Sequence, residues 1–192
     1  MIARFTLLLA LVSSLLTACA TLPPPALPAR DEVRNFVLES RFALRATLPG
    51  QAPQSSGGRL TWTHQGSHDR ILLANPIGVG LAEIEATPQR SQLRTADGRE
   101  HESTDPDALI EEATGLRLPV ARLPAWLLGR AGGGASITAD PYGRPGRLLE
   151  AGWQVDYFYE DANPHALPGR LTISRPGEIE LKLRIEEWRE SP

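Results

Sequence analysis

The chain holds a single cysteine, Cys19, and its longest apolar run, Phe5 to about Leu16, falls short of the roughly 20 residues a membrane-spanning helix needs. A lone thiol closes no intramolecular disulfide, and without clustered partners it makes no metal site. Positive charge is not in excess: 20 Lys and Arg stand against 23 Asp and Glu, and the charges are scattered rather than in runs, so they read as a solvated surface and not as a nucleic-acid footprint. No glycine-x-serine-x-glycine elbow is present. Gly132-Gly133-Gly134 lacks the lysine and hydroxyl residue of a phosphate loop and leads into strand, so it reads as a flexible connection, and nothing supplies nucleotide energy. His64 and His68 are four apart, but they sit in hairpin-like sequence with only Asp69 nearby, which reads as a surface turn. His101 and His165 have no recognisable partner. Glu111 and Glu112 fall on the wet face of a helix whose other face is apolar. The expectation is a protein without catalytic site, cofactor or metal.

The N-terminus does carry a signal. Arg4 precedes Phe5–Val12, a charged start followed by an apolar stretch, as in a secretory leader. Leu16-Thr17-Ala18-Cys19 then resembles the lipobox of bacterial lipoproteins, in which the chain is cut before the cysteine and acyl chains are added to it. The organisation expected is a leader over 1–18, an acylated Cys19 with a proline-rich tether over 19–30, and one domain over 31–192. Without the leader, which holds one arginine and no acid, 174 residues with a formal charge of −4 remain, ordinary for one domain. Ala20, rather than aspartate, follows the cysteine, which by resemblance to the sorting rule of diderm bacteria points to the outer membrane.

Alternation dominates the rest. Phe36, Leu38, Phe42, Leu44, Ala46 and Leu48 share one parity against Glu39, Arg41, Arg45 and Thr47; Leu60, Trp62 and His64 alternate with Arg59, Thr61 and Thr63; Ala82, Ile84 and Ala86 alternate with Glu83 and Glu85. Trp153, Val155, Tyr157 and Tyr159 continue the pattern, and Ile179, Leu181, Leu183 and Ile185 give its cleanest run. A period of two is that of a half-buried strand. Ile71-Leu72-Leu73 is apolar on both parities, which fits a strand covered on two faces or a lipid-facing edge. Asp31 to about Val37 suggests a short helix, Thr104-Asp105-Pro106 to Gly115 a capped one, and Val120 to about Leu128 another, with Pro124 forcing a kink or a late start. About eleven strands without a repeating strand–helix unit imply a mainly β fold: an antiparallel, strongly curved sheet with helices on its concave side.

Two features leave alternatives open. Asn75-Pro76-Ile77-Gly78-Val79-Gly80 joins two strands yet carries Ile77 and Val79 near its tip; these either fold back into the core or form an exposed apolar knob for a membrane or partner. The many apolar residues of one parity either fill a sandwich or leave a cavity under the helices.

The stretch Thr114-Gly115-Leu116-Arg117-Leu118-Pro119-Val120-Ala121-Arg122-Leu123-Pro124-Ala125-Trp126-Leu127-Leu128-Gly129, the Asn75-Pro76-Ile77-Gly78 loop and the terminal Ile179–Ile185 run closing on Trp188 resemble the LolB family of outer-membrane lipoprotein receptors. The resemblance implies an unclosed antiparallel β-barrel of eleven strands with helices covering an apolar cavity. It implies that lipoproteins are accepted from a soluble periplasmic carrier, LolA, and placed in the inner leaflet of the outer membrane. It implies further that the apolar residue of the protruding loop, here Ile77 where leucine is more familiar, matters for the last step. Ile77 with Val79 is expected to enter the lipid interface, in a membrane-insertion loop that also holds Pro76 and Gly78. The partners expected are the carrier, client lipoproteins through their acyl chains and outer-membrane lipid, with the protein itself a monomer. Parity places Phe42, Leu44, Leu60, Trp62, Ile84, Leu109, Ile110, Trp126, Leu127, Trp153 and Leu183 on the cavity wall. Against this stand a soluble carrier of the same fold, which Cys19 disfavours; a lipid-anchored enzyme, which lacks its residues; and another lipid-anchored acyl-binding or structural lipoprotein. Processing before Cys19 is expected to be blocked by globomycin, and Cys19→Ala to yield an unacylated periplasmic protein; a Cys19→Ala chain that still pelleted with membranes would count against the anchor.

Overall fold

The computed structural model describes residues 28–48 and 50–191. Cys19, the leader and most of the expected tether lie outside the described residues. The alternating segments form eleven strands: β1 (Phe36–Ala46), β2 (Gln54–Gln65), β3 (His68–Ala74), β4 (Gly80–Ala86), β5 (Ser91–Thr95), β6 (Glu100–Ser103), β7 (Ser136–Ala139), β8 (Pro145–Glu150), β9 (Trp153–Phe158), β10 (Arg170–Arg175) and β11 (Ile179–Arg189). They make one sheet in the order β6-β5-β4-β3-β2-β1-β11-β10-β9-β8-β7, and every pairing is antiparallel. Each strand follows its sequence neighbour except at β1 and β11, where the two ends of the domain meet in the middle. The fold is mainly β, as its period-two patterning implies, and the sheet is unclosed, as the resemblance implies, with β6 and β7 as free edges.

The chain between those two edges, residues 104–135, carries both helices of the described residues: α1 (Pro106–Thr114) and α2 (Leu123–Leu127). The Asp105 side chain accepts from the Asp107 amide, Pro106 opens α1, and Gly115 closes it with φ 74. Leu109 and Ile110 are its buried residues, and it lies against β5 and β6. Pro124 sits in the first turn of α2, where its missing N–H costs nothing, so the proline produces a late start rather than a kink. Neither helix is long and apolar enough to cross a membrane.

Two expectations about local structure fail. The Asp31–Val37 helix does not form: a turn over 30–32 leads straight into β1. The Arg130 guanidinium takes the carbonyls of Arg30, Asp31 and Val33, acceptors a helix needs for its own amides. Ile71-Leu72-Leu73 is neither covered twice nor an edge. β3 lies inside the sheet, Ile71 and Leu73 turn inward, and Leu72 faces out on the convex side.

One carboxylate pins α2 to the sheet. Glu150, at the end of β8, accepts from Arg122 Nε at 2.7 Å and Nη2 at 3.1 Å, from Trp126 Nε1 at 3.0 Å and from the Gly132 amide at 2.9 Å. A Cβ on Gly132 would stand 2.8 Å from both Arg122 and Glu150, so the glycine run that reads as a flexible connection holds a close approach instead. Behind the pin, Trp126 meets Trp153 with ring centroids 6.0 Å apart, and Tyr157 donates its hydroxyl to the Trp126 carbonyl at 2.7 Å. Burial pushes the Tyr157 phenol well above its usual range. Burial also works to raise Glu150, but the Arg122, Gly132 and Trp126 donors outweigh it and hold the carboxyl at about 2, against an ordinary 4.5. A depressed carboxyl contributes stability that is complete above its unfolded value and disappears as pH falls through its folded one. Glu150→Gln is therefore expected to lower unfolding stability by about 2 kcal/mol at neutral pH. That deficit should shrink between pH 4.5 and about 2; urea titrations of both proteins across this range check it.

Candidate functional site

The concave face is filled on one side and hollow on the other. Under β8 and β9, Trp126, Trp153 and Leu148 pack with no room to spare. Under β1 to β5 lies a cavity of about 280 Å³. Its floor comes from Phe42 and Leu44 on β1, Leu60 and Trp62 on β2, Ile71 and Leu73 on β3, Ile84 on β4 and Leu93 on β5. Leu181 and Leu183 on β11 and Ile173 on β10 extend it. Its roof is Ile110 and Thr114 of α1, Leu118 and Val120 of the connection, and Leu123 and Leu127 of α2. Among the described residues, no ionisable side chain borders it.

The hollow has a sequence cause. On the concave face, Phe42 stands opposite Gly58 and Leu44 opposite Ser56. Large residues on β1 thus meet almost no side chain on β2. Gly58 is required there: a Cβ would stand 2.0 Å from the Ala74 carbonyl oxygen and 3.2 Å from the Phe42 ring. Trp62 completes the floor with its indole N–H committed, donating to Asp69 at 2.7 Å. His64 contacts the same Asp69 oxygen at 2.8 Å and packs on Phe36, so only His68 of the histidine pair is a plain surface-turn residue. No cluster of three or more His, Cys, Asp or Glu among the described residues offers a metal site.

Of the residues expected on the cavity wall, Phe42, Leu44, Leu60, Trp62, Ile84, Ile110, Leu127 and Leu183 border it. Leu109, Trp126 and Trp153 do not: all three are buried in the packed core. Parity assigns a residue to a face, but it does not separate a packed half of that face from an empty one. Sequence reasoning missed Ile71, Leu73, Leu93, Ile173 and Leu181, which share the inward parity of their strands, Leu118, Val120 and Leu123 of the roof, and also Leu81, which parity places on the outer face with Glu83 and Glu85.

Ile77 is 87% exposed and Val79 57%, at the tip of the β3–β4 connection. Pro76 and Gly78 are exposed beside them. The reading in which these side chains return to the core is therefore excluded. Asn75 shapes the loop: its side-chain oxygen accepts from the amides of Ile77 at 3.1 Å and Val79 at 2.9 Å, while its carbonyl accepts from Gly78 at 2.9 Å. Pro76 has no amide hydrogen and Gly78 turns the chain with φ 92. Every backbone donor from residue 76 to 79 is thus absent or satisfied inside the loop, which removes the donors' share of the penalty for moving it out of water. The strands that carry the loop supply Leu73 and Leu81 to the cavity, so loop and cavity share a wall.

A family model described as outer membrane lipoprotein LolB matches residues 34–188. The outer-membrane lipoprotein LolB of Dechloromonas aromatica (strain RCB) is 67% identical over 189 residues, covering 98% of both chains. That of Azoarcus sp. (strain BH72) is 33% identical over 96% of this chain and 95% of its own. A solved LolA superfamily structure from Nitrosomonas europaea aligns at a TM-score of 0.46 with 12% identity, covering 81% of this chain and 87% of that one. On the family match and these full-length relatives, the chain belongs to the LolB family, the outer-membrane lipoprotein receptors of the lipoprotein localisation system.

Proposed function

We propose that the protein, held by an acylated Cys19 on the periplasmic face of the outer membrane, takes lipoproteins from the carrier LolA by their acyl chains, shelters those chains in the cavity, and delivers them to the inner leaflet through the Ile77 loop. The observation that carries this reading is an apolar cavity whose wall continues into a loop that holds an isoleucine out in water. Each acyl methylene left in water costs about 0.8 kcal/mol, so carrier and receptor must both hide the chains. Without nucleotide, direction comes from affinity. A tenfold bias takes about 1.4 kcal/mol, which about 55 Å² of additional apolar burial supplies at roughly 25 cal/mol per Å².

The cavity, about 280 Å³ and partly open, sits just below the usual range of ligand pockets, which starts at roughly 300 Å³, so long acyl chains gain room by displacing part of the roof. The two helices are held unequally. α2 is fastened by Glu150 and Tyr157, whereas α1 rests on packing, its caps, the bond from the Ala121 amide to Asp107 at 3.0 Å and the side-chain pairs Glu111–Arg117 and Glu112–His101. α1 is therefore the movable part of the roof and α2 the fixed part. The proline-rich segment from Pro23 to Pro28 serves as a spacer that keeps the protein's own anchor away from its cavity.

Ile77→Glu places a charge at the tip without touching the core. It is expected to leave acceptance of an acylated client from the carrier unchanged and to cut delivery to liposomes at least tenfold, measured by co-sedimentation of client with vesicles. Delivery at the normal rate would remove the loop from the mechanism.

A further inference from the structure

The cavity and the loop tip are separate places, and acyl chains leaving one must reach the membrane at the other. The pairing of β3 with β4 breaks between them. Leu73 pairs with Ala82 and Ala74 with Gly80, so Leu81 is an extra residue on β4, a β-bulge at the base of the loop. In unbroken alternation Leu81 would share the convex face with Glu83 and Glu85. A bulge re-aims the side chain it carries. Leu81, 44% exposed, borders the apolar cavity beside Leu73. It also borders a hollow at the sheet rim with Ala96, Ala113 and Thr114, and a groove outside the sheet with Leu72, Gly78 and Gly80. Its carbonyl still accepts from the Ala96 amide at 2.8 Å, which holds the bulge against β5 while the side chain stays free of the ladder.

We propose that Leu81 is the sill of an exit portal: acyl chains leave the cavity over its side chain, between β4 and the end of α1, and pass along Val79 toward Ile77 and the bilayer. The portal lies where the roof is weakest. Thr114 and Gly115 end α1 on one side of it, and a Cβ at Gly80 would meet nothing within 4 Å on the other. Beyond the cavity the rim carries Asp97, Arg99 and His101 and the outer groove Arg59, Glu83 and Arg94, so Leu81 is the apolar contact a moving chain keeps between them, which lowers the barrier to transfer more than it changes how tightly the chain is held at rest. Leu81 is thus a positioning residue for delivery, distinct from the membrane contact at Ile77. The inference rests on the reading of cavity and loop given above.

The test separates holding from passing, using full-length wild-type protein, Leu81→Asp, Leu81→Asn, Leu81→Met and Ile77→Glu. A fluorescent long-chain fatty acid is the cavity probe, and phosphatidylethanolamine–phosphatidylglycerol vesicles carrying a quencher are the acceptor. For Leu81→Asp and Leu81→Asn we expect the thermal midpoint to stay close to wild type and probe affinity to fall far less than transfer slows. Transfer of probe from protein to vesicle should slow about tenfold or more, and Leu81→Met should restore it. Ile77→Glu, kept on the vesicles by the same acylated Cys19, should slow transfer at the membrane step and leave probe affinity unchanged. Transfer by both polar variants at the wild-type rate overturns the portal. So does a fall in probe affinity that accounts for the whole effect, which would make Leu81 an ordinary wall residue. If either polar variant does not fold, the other and Leu81→Met still decide between these outcomes. A wild-type protein that binds no probe, or never passes it to vesicles, overturns the underlying functional reading rather than the placement of Leu81.

Discussion

Because β6 and β7 never meet, the apolar face of the sheet cannot be shielded by the sheet itself. A closed barrel of this period would bury its inner side chains against one another. Here the work falls to the chain that joins the two edges, residues 104–135, with its two short helices. The cover is too small for the face. On the β8–β9 side it fits, and tryptophans fill the space. On the β1–β5 side it does not, and the remainder is the cavity. A lasting hollow of this kind forfeits dispersion contacts and would ordinarily be selected against. It is kept open by Gly58 and Ser56 standing opposite Phe42 and Leu44.

The same shortage divides the molecule mechanically. Glu150 gathers donors from Arg122, Trp126 and Gly132 and makes one end of the cover part of the sheet. Nothing comparable fastens α1 among the described residues; Glu111 pairs with Arg117 on exposed side chains, exposed Glu112 stands 3.7 Å from half-buried His101, and such solvated pairs contribute little. A roof fixed along one side and loosely seated along the other can lift without the sheet unfolding. The convex face is quiet by comparison. Arg41–Glu186, Arg70–Glu83, Arg94–Glu100 and Arg147–Asp156 neutralise one another across neighbouring strands.

The loop shows how an apolar tip can stand in water without collapsing. Asn75 binds the amides of Ile77 and Val79, and Gly78 bonds to the Asn75 carbonyl, so the loop is rigid from within and owes nothing to the core. A loop that met its donors with water would have to strip that water to enter lipid. This one has no amide from residue 76 to 79 left to strip.

Much was legible in the sequence because it depends on neighbours along the chain. Period-two alternation specified the strands and their inner faces, Asp105, Pro106 and Gly115 specified α1, and the segment from Thr114 to Gly129 with the Asn-Pro loop carried the family. What required the folded molecule depends on residues far apart. The Asp31–Val37 helix was lost because Arg130, about a hundred residues away, claims its carbonyls. Trp126 and Trp153 read as cavity wall by parity but are core, since only the seating of α2 decides which half of a face is filled. Leu81 reads as an outward residue and touches the cavity, because a bulge in pairing with β3 leaves no mark in β4 alone. Local chemistry thus determined the elements and the loop. The hollow, its fastened and loose sides and its rim were decided by how eleven strands and a short cover fit together.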